Sequence, residues 1–151
     1  MDIGDLVTPD RVVADLPVAD KARLLRELAR RAASFAGRDA ATIEEALVKR
    51  ERLGSTGIGN GVALPHARIK GLPAMVGLFI RLERPIDFAA IDDQPVDLVF
   101  LLLTPDNAAS DHLAALACVS RRLRSGGVAA QLRAGDRAEA LFAVLTGAPR
   151  T

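Results

Sequence analysis

Apolar positions along the chain follow two periods. After residue 20 they recur at helical spacing: Leu24, Leu25, Leu28 and Ala32 form one stripe, and Arg23, Glu27, Arg30 and Arg31 take the other face. Asp20 stands where an N-cap accepts an amide hydrogen bond, and Gly37 where the helix ends. Thr42-Ile43-Glu44-Glu45 has the form of a capping box and predicts the start of a second helix. Ile43 and Leu47 point inward there, and Lys49, Arg50 and Arg52 fill the last turn, where cations suit the helix dipole. The period then changes. Val76, Leu78, Ile80 and Leu82 alternate with Met75, Gly77, Phe79 and Arg81, which predicts a strand broken at Glu83-Arg84-Pro85. Val96 to Leu103 is almost continuously apolar, as in a strand buried on both faces, and Thr104-Pro105 stops it.

The remaining segments follow the same logic. Arg11 to Ala14 is a short strand after the turn Thr8-Pro9-Asp10. A helix is predicted from Asp111 to about Arg124, capped by Ser110, with Leu113, Leu116, Ala117, Val119 and Leu123 inward and His112 off that stripe. A short helix over about 128–133 and a final one opened by Asp136-x-x-Glu139 complete the chain, fraying at Gly147-Ala148-Pro149. Strands interleaved with helices predict an α/β fold, a helix-covered sheet in one domain spanning 1–151 with its core at about 5–147.

Between the second helix and the first long strand lies the richest chemistry, Gly54-Ser55-Thr56-Gly57-Ile58-Gly59-Asn60-Gly61-Val62-Ala63-Leu64-Pro65-His66. It holds four of the 12 glycines and one of the two histidines. Glycine lets amides approach a ligand closely, and amides with the Ser55 and Thr56 hydroxyls suit an anion such as phosphate. The run lacks the lysine of a Walker loop and does not fit a dinucleotide fingerprint. Val62-Ala63-Leu64 reads as a strand ended by Pro65, which places His66 on a loop just beyond it. The plainer alternative is a glycine turn with a histidine that only packs.

Composition narrows the choice of function. The formal net charge is +1, with no Trp or Tyr and five Phe, which argues against a nucleic-acid partner or an anionic membrane surface. One cysteine, Cys118, and two histidines make a structural metal site a poor expectation. The acidic start Met1-Asp2-Ile3-Gly4-Asp5 has no signal core and no apolar run reaches ~20 residues, so a cytoplasmic chain without membrane insertion is expected.

The run from Arg50 to His66 resembles the signature of the EIIA domains of the phosphoenolpyruvate-dependent phosphotransferase system, mannitol/fructose class, and within it the nitrogen-regulatory branch. The likeness continues at Leu82-Glu83-Arg84-Pro85-Ile86-Asp87-Phe88, at Ile91-Asp92-Asp93-Gln94-Pro95-Val96-Asp97-Leu98 and at Asp111-His112-Leu113, and so covers nearly the whole chain. Ala67-Arg68 varies on a Gly-Lys often found after the histidine. The resemblance implies a mixed sheet flanked by helices on both faces. It implies phosphorylation of His66 at Nε2, with Arg50 and His112 beside the phosphoryl group, and no cofactor or metal. Ser55, Thr56, Gly57 and Gly59 are the expected phosphate loop. The implied donor is a phosphohistidine carrier of the HPr or NPr type, and the implied targets are regulators of potassium transport or of nitrogen metabolism. The alternatives are a sugar-specific EIIA that passes phosphate to an EIIB cysteine, and a binding module whose histidines never react.

Overall fold

The computed structural model describes residues 1–147; the fraying expected at Ala148-Pro149 lies outside them. Two short 3-10 turns, Ile3–Asp5 and Pro9–Arg11, lead into β1 (Val12–Leu16). Then come α1 (Lys21–Ala36), α2 (Ala40–Arg52), β2 (Gly57–Gly59), β3 (Val62–Ala63) and β4 (His66–Ile69). The longest strands, β5 (Val76–Ile86) and β6 (Val96–Pro105), are followed by α3 (Ala109–Arg124), α4 (Val128–Ala134) and α5 (Ala138–Thr146).

The sheet runs β1-β5-β6-β3-β2, with β4 also on β6. β1 is parallel to β5, β5 antiparallel to β6, β3 and β4 parallel to β6, and β2 antiparallel to β3. The α/β expectation therefore holds, as a mixed sheet with helices on both faces. Alternation along β6 divides the core. Val99, Leu101 and Leu103 meet Leu24, Leu28, Ile43 and Leu47 of α1 and α2. Leu98, Phe100 and Leu102 meet Val119, Leu123, Leu132 and Leu141 of α3, α4 and α5. Burial of each such side chain is worth about 1.5–3 kcal/mol, which makes β6 the thermodynamic centre of the fold.

Four boundaries differ from expectation. The capping box does not open α2: Asp39 is its N-cap, and Thr42 lies within the first turn. Similarly α3 begins at Ala109, so Ser110 is helical and does not cap it. Pro85 does not end β5, because the register shifts between Arg81 and Ile86 and the exposed residues 83–85 need no ladder bond there. Likewise β6 continues through Thr104 and Pro105, which pair with Arg68 and Ile69 of β4.

Other expectations hold. Asp20 accepts the Arg23 amide at 2.8 Å, and Gly37 closes α1 with φ of 63°. Arg81, at an outwardly polar position of β5, is nevertheless buried. It donates to the Leu132 carbonyl at 3.0 Å near the C-terminus of α4 and to Asp15 at 2.9 Å. A buried guanidinium with partners on two elements ties α4 to β1 across the sheet.

Candidate functional site

Three elements deliver side chains to one cavity of about 620 Å3 at the C-terminal half of β6. α2 brings Lys49 and Arg50 from its last turn, β4 brings His66 and Arg68, and the first turn of α3 brings His112; Leu53 forms part of the rim. The rings of His66 and His112 lie 5.4 Å apart between centroids, at an interplanar angle of 57°. Two histidines 46 positions apart thus share one cavity with Arg50.

His66 does not sit on a loop, as the sequence suggested, but opens a strand. Leu64 and Pro65 form the short break between β3 and β4. β3 pairs with β6 before it, His66 pairs opposite Leu102 after it, and the Pro65 carbonyl accepts the Leu102 amide at 3.0 Å between them. A proline lacks an amide proton yet keeps its carbonyl, so it can sit in such a line without breaking it.

The hydrogen bonds of His66 fix its protonation. Nδ1 lies 2.7 Å from the Leu64 carbonyl, which can only accept, so Nδ1 carries the proton. Nε2 lies 3.2 Å from Arg50 Nε, which can only donate, so Nε2 keeps its lone pair. Burial lowers the pKa of His66, and the Arg50 charge adds to this against the opposing effects of the Leu64 carbonyl and Glu51. The result is a neutral imidazole with an oriented nucleophilic nitrogen in a half-buried, cation-lined site.

Arg50 has a second bond, from Nη1 to the Gly54 carbonyl at 2.9 Å. One guanidinium thereby caps the end of α2 and reaches His66. The pKa of His112 is lowered as well, first by burial, then by the neighbouring His66 ring and the positive charges of Arg68 and Arg50. His112 is not off the apolar stripe of α3. The inward face runs His112, Ala115, Cys118, Val119 and Leu123; Val119 and Leu123 are inward as expected and Leu116 packs against them, but Ala117 is exposed and Leu113 is 65% exposed. A hydrogen bond of 2.6 Å between His112 Nδ1 and Thr104 Oγ1 accounts for a polar ring on that face.

Ser55, Thr56, Gly57 and Gly59, expected as a phosphate loop, do not line the cavity. Their polar groups hold the loop itself. Ser55 Oγ donates to the Phe88 carbonyl at 3.1 Å and accepts the Gly57 amide at 3.1 Å. Thr56 donates both its amide, at 3.1 Å, and its hydroxyl to the Glu51 carboxylate. Gly57 and Gly59 form β2 and pair with β3. Gly57 is glycine for space, since a Cβ there would come within 2.7 Å of Ala90 Cβ.

Sequence reasoning missed Glu51, Lys21 and Thr104. The Glu51 side chain is 6% exposed and meets Lys21 Nζ at 2.8 Å; Lys21 also donates to the Phe88 carbonyl at 3.1 Å. This clamp joins α1, the end of α2 and the glycine run. Its one signal is an acidic residue inside a basic helix terminus. For Thr104 the signal is a hydroxyl after eight residues of an otherwise buried strand, which needs a partner.

Among the described residues no three His, Cys, Asp or Glu side chains are grouped to hold a metal ion, and no helix is long and apolar enough to cross a membrane. The family model described as "Phosphoenolpyruvate-dependent sugar phosphotransferase system, EIIA 2" matches residues 5–147. The chain is 48% identical over 151 residues to a nitrogen regulatory protein of Bradyrhizobium diazoefficiens, covering 100% of this chain and 99% of that one. It is 40% identical over 144 residues to a nitrogen regulatory protein of Pseudomonas aeruginosa, covering 95% and 94%. Its fold matches the crystal structure of nitrogen regulatory protein IIA-Ntr from Neisseria meningitidis with a TM-score of 0.90 and 37% identity, over 95% of this chain and 99% of that one. The chain therefore belongs to the EIIA type-2 family of the phosphoenolpyruvate-dependent phosphotransferase system, whose work is phosphotransfer.

Proposed function

We propose that this protein is a phosphocarrier of the nitrogen-regulatory phosphotransferase system that takes a phosphoryl group on His66 Nε2 from an HPr- or NPr-type phosphohistidine protein. One observation carries this reading above the rest: the Leu64 carbonyl holds the His66 proton on Nδ1 at 2.7 Å, leaving the Nε2 lone pair facing the cations of the cavity.

In the transfer step that lone pair attacks the phosphorus of the donor's phosphohistidine. The new N–P bond forms as the donor's N–P bond breaks, and the bonding electrons leave with the donor imidazole. His66 becomes cationic at the ring as Nε2 gives up its lone pair, and the short bond from Nδ1–H to Leu64 strengthens to spread that charge. Arg50 Nε loses its acceptor on Nε2 and turns to the phosphoryl oxygens, which a forked guanidinium binds two at a time. Arg68 and Lys49 supply further positive charge at the mouth of the cavity. Positioning and charge of this kind are the main demands of phosphoryl transfer.

The chain's 48% and 40% identity to proteins named for nitrogen regulation supports a regulatory output. Phosphorylation adds about 1.5–2 negative charges to a basic cavity and so changes which partners bind, with regulators of potassium transport or nitrogen metabolism as the target class, in the cytoplasm. The test is intact mass after incubation with phosphoenolpyruvate, enzyme I and an HPr-type carrier. Wild type is expected to gain one acid-labile phosphate and His66→Ala none. No gain on wild type with each carrier class would refute the reading and leave a binding module. Rapid onward transfer to an EIIB cysteine would instead favour the sugar-uptake alternative.

A further inference from the structure

Past Asp97 at its entry, β6 carries a single polar side chain, Thr104. Its hydroxyl is fully buried and lies 2.6 Å from His112 Nδ1, which is its one hydrogen-bond partner among the described residues. That hydroxyl has one proton to place. If Nδ1 were the donor, the buried Thr104 proton would be left without an acceptor among the described residues, at the full cost of desolvating an unpaired donor. The proton therefore goes to Nδ1, which acts as acceptor. The ring is neutral, because burial and the neighbouring positive charges disfavour the imidazolium. A neutral imidazole that accepts at Nδ1 carries its own proton on Nε2. Nε2 is the nitrogen left for the cavity that His112 lines together with His66.

We propose that Thr104 is a positioning residue that fixes the Nε2–H tautomer of His112, so that this histidine donates a hydrogen bond to an oxygen of the phosphoryl group on His66. The proposal rests on the reading of His66 as acceptor. The two histidines then hold opposite tautomers by opposite means. A carbonyl keeps the His66 proton on Nδ1 and frees a lone pair; a hydroxyl keeps the His112 proton on Nε2 and presents a donor. The arrangement forms before any phosphate arrives, so the donor needs no reorganisation when charge reaches the site.

Side-chain 15N NMR of the histidines and single-turnover transfer from a phosphorylated HPr-type carrier test this on the intact protein. Wild-type His112 is expected to show a protonated Nε2 and an unprotonated Nδ1. Thr104→Val keeps the shape and branching and removes the hydroxyl. It is expected to give a mixed tautomer at His112 and roughly tenfold slower transfer, less than the full loss of an oriented donor, while the His66 signals stay in place. Thr104→Ser is expected to restore both readouts. A wild-type His112 with its proton on Nδ1 overturns the proposal, as does a Thr104→Val protein with unchanged tautomer and rate. If Thr104→Val does not fold, the wild-type spectrum and Thr104→Ser decide. A wild type that accepts no phosphate sinks the reading of His66 instead, and the His112 spectrum still reports separately on Thr104.

Discussion

Arg50 occupies a helix-end position that the macrodipole alone would justify, and its bond to the Gly54 carbonyl is that ordinary role. Its 3.2 Å bond to His66 Nε2 is the additional one. Replacement by alanine is expected to slow phosphoryl transfer by roughly 10²–10³, the scale for losing one preorganised charge donor. Arg50→Lys should recover part of this, since it keeps the charge and loses the fork. Single-turnover quench-flow from a phosphorylated carrier measures both, and an unchanged rate in Arg50→Ala would leave only the helix-end role. At this scale the sequence was uneven evidence. His66 was legible because a rare residue closes a glycine run. Arg50 was not separable from a dipole-matched cation until the family resemblance singled it out. The Ser55 and Thr56 hydroxyls bond within their own surroundings, and a hydroxyl that satisfies a loop has the same letter as one that holds an anion.

The elements show where pattern reading succeeds and where it slips. β6 was read almost to its ends, since a strand buried on both faces leaves an unbroken apolar run. α3 was read in part: Val119 and Leu123 face inward as expected, while His112 takes the core position expected of Leu113. Hydropathy favours Leu113 over His112 at a core position, but a buried imidazole bonded to Thr104 is satisfied there and the leucine is left on the rim. β2 was invisible, because three residues of Gly-Ile-Gly have no period to detect. Its existence makes Gly57 sensitive. A methyl at that position must displace Ala90, whose Cα would lie 2.9 Å away, so Gly57→Ala is expected to cost about 1–3 kcal/mol through overpacking. Urea denaturation compares the two midpoints; an unshifted midpoint would mean the loop absorbs the methyl by moving.

For the molecule as a whole, both histidines are held below the ordinary histidine pKa of about 6.5, chiefly by burial. The unfolded chain therefore binds protons at a higher pH than the folded one. Their contribution to stability is fully present above about 6.5 and is lost as pH falls through the lowered folded values. Glu27, bonded to Arg30 and Arg31, and Asp92, which accepts the Asn60 and Gln94 amides, are held below the carboxylate range and lose their contributions at lower pH still. Denaturation midpoints are thus expected to be level from pH 8 to 7 and to drop between pH 6.5 and 5, and the drop should shrink in a His66→Ala/His112→Ala protein. An equal drop in that variant would assign the effect elsewhere. The seam at Pro65 bears on the proposed phosphorylation of His66. The chain is fastened to β6 on both sides of that residue, which ties the backbone under the imidazole to the sheet. On the phosphocarrier proposal, a phosphoryl group added there is expected to act chiefly through the surface potential. Such a potential fades within a Debye length, ~8 Å in physiological salt, so the proposal expects a partner to read it by contact at the mouth of the cavity.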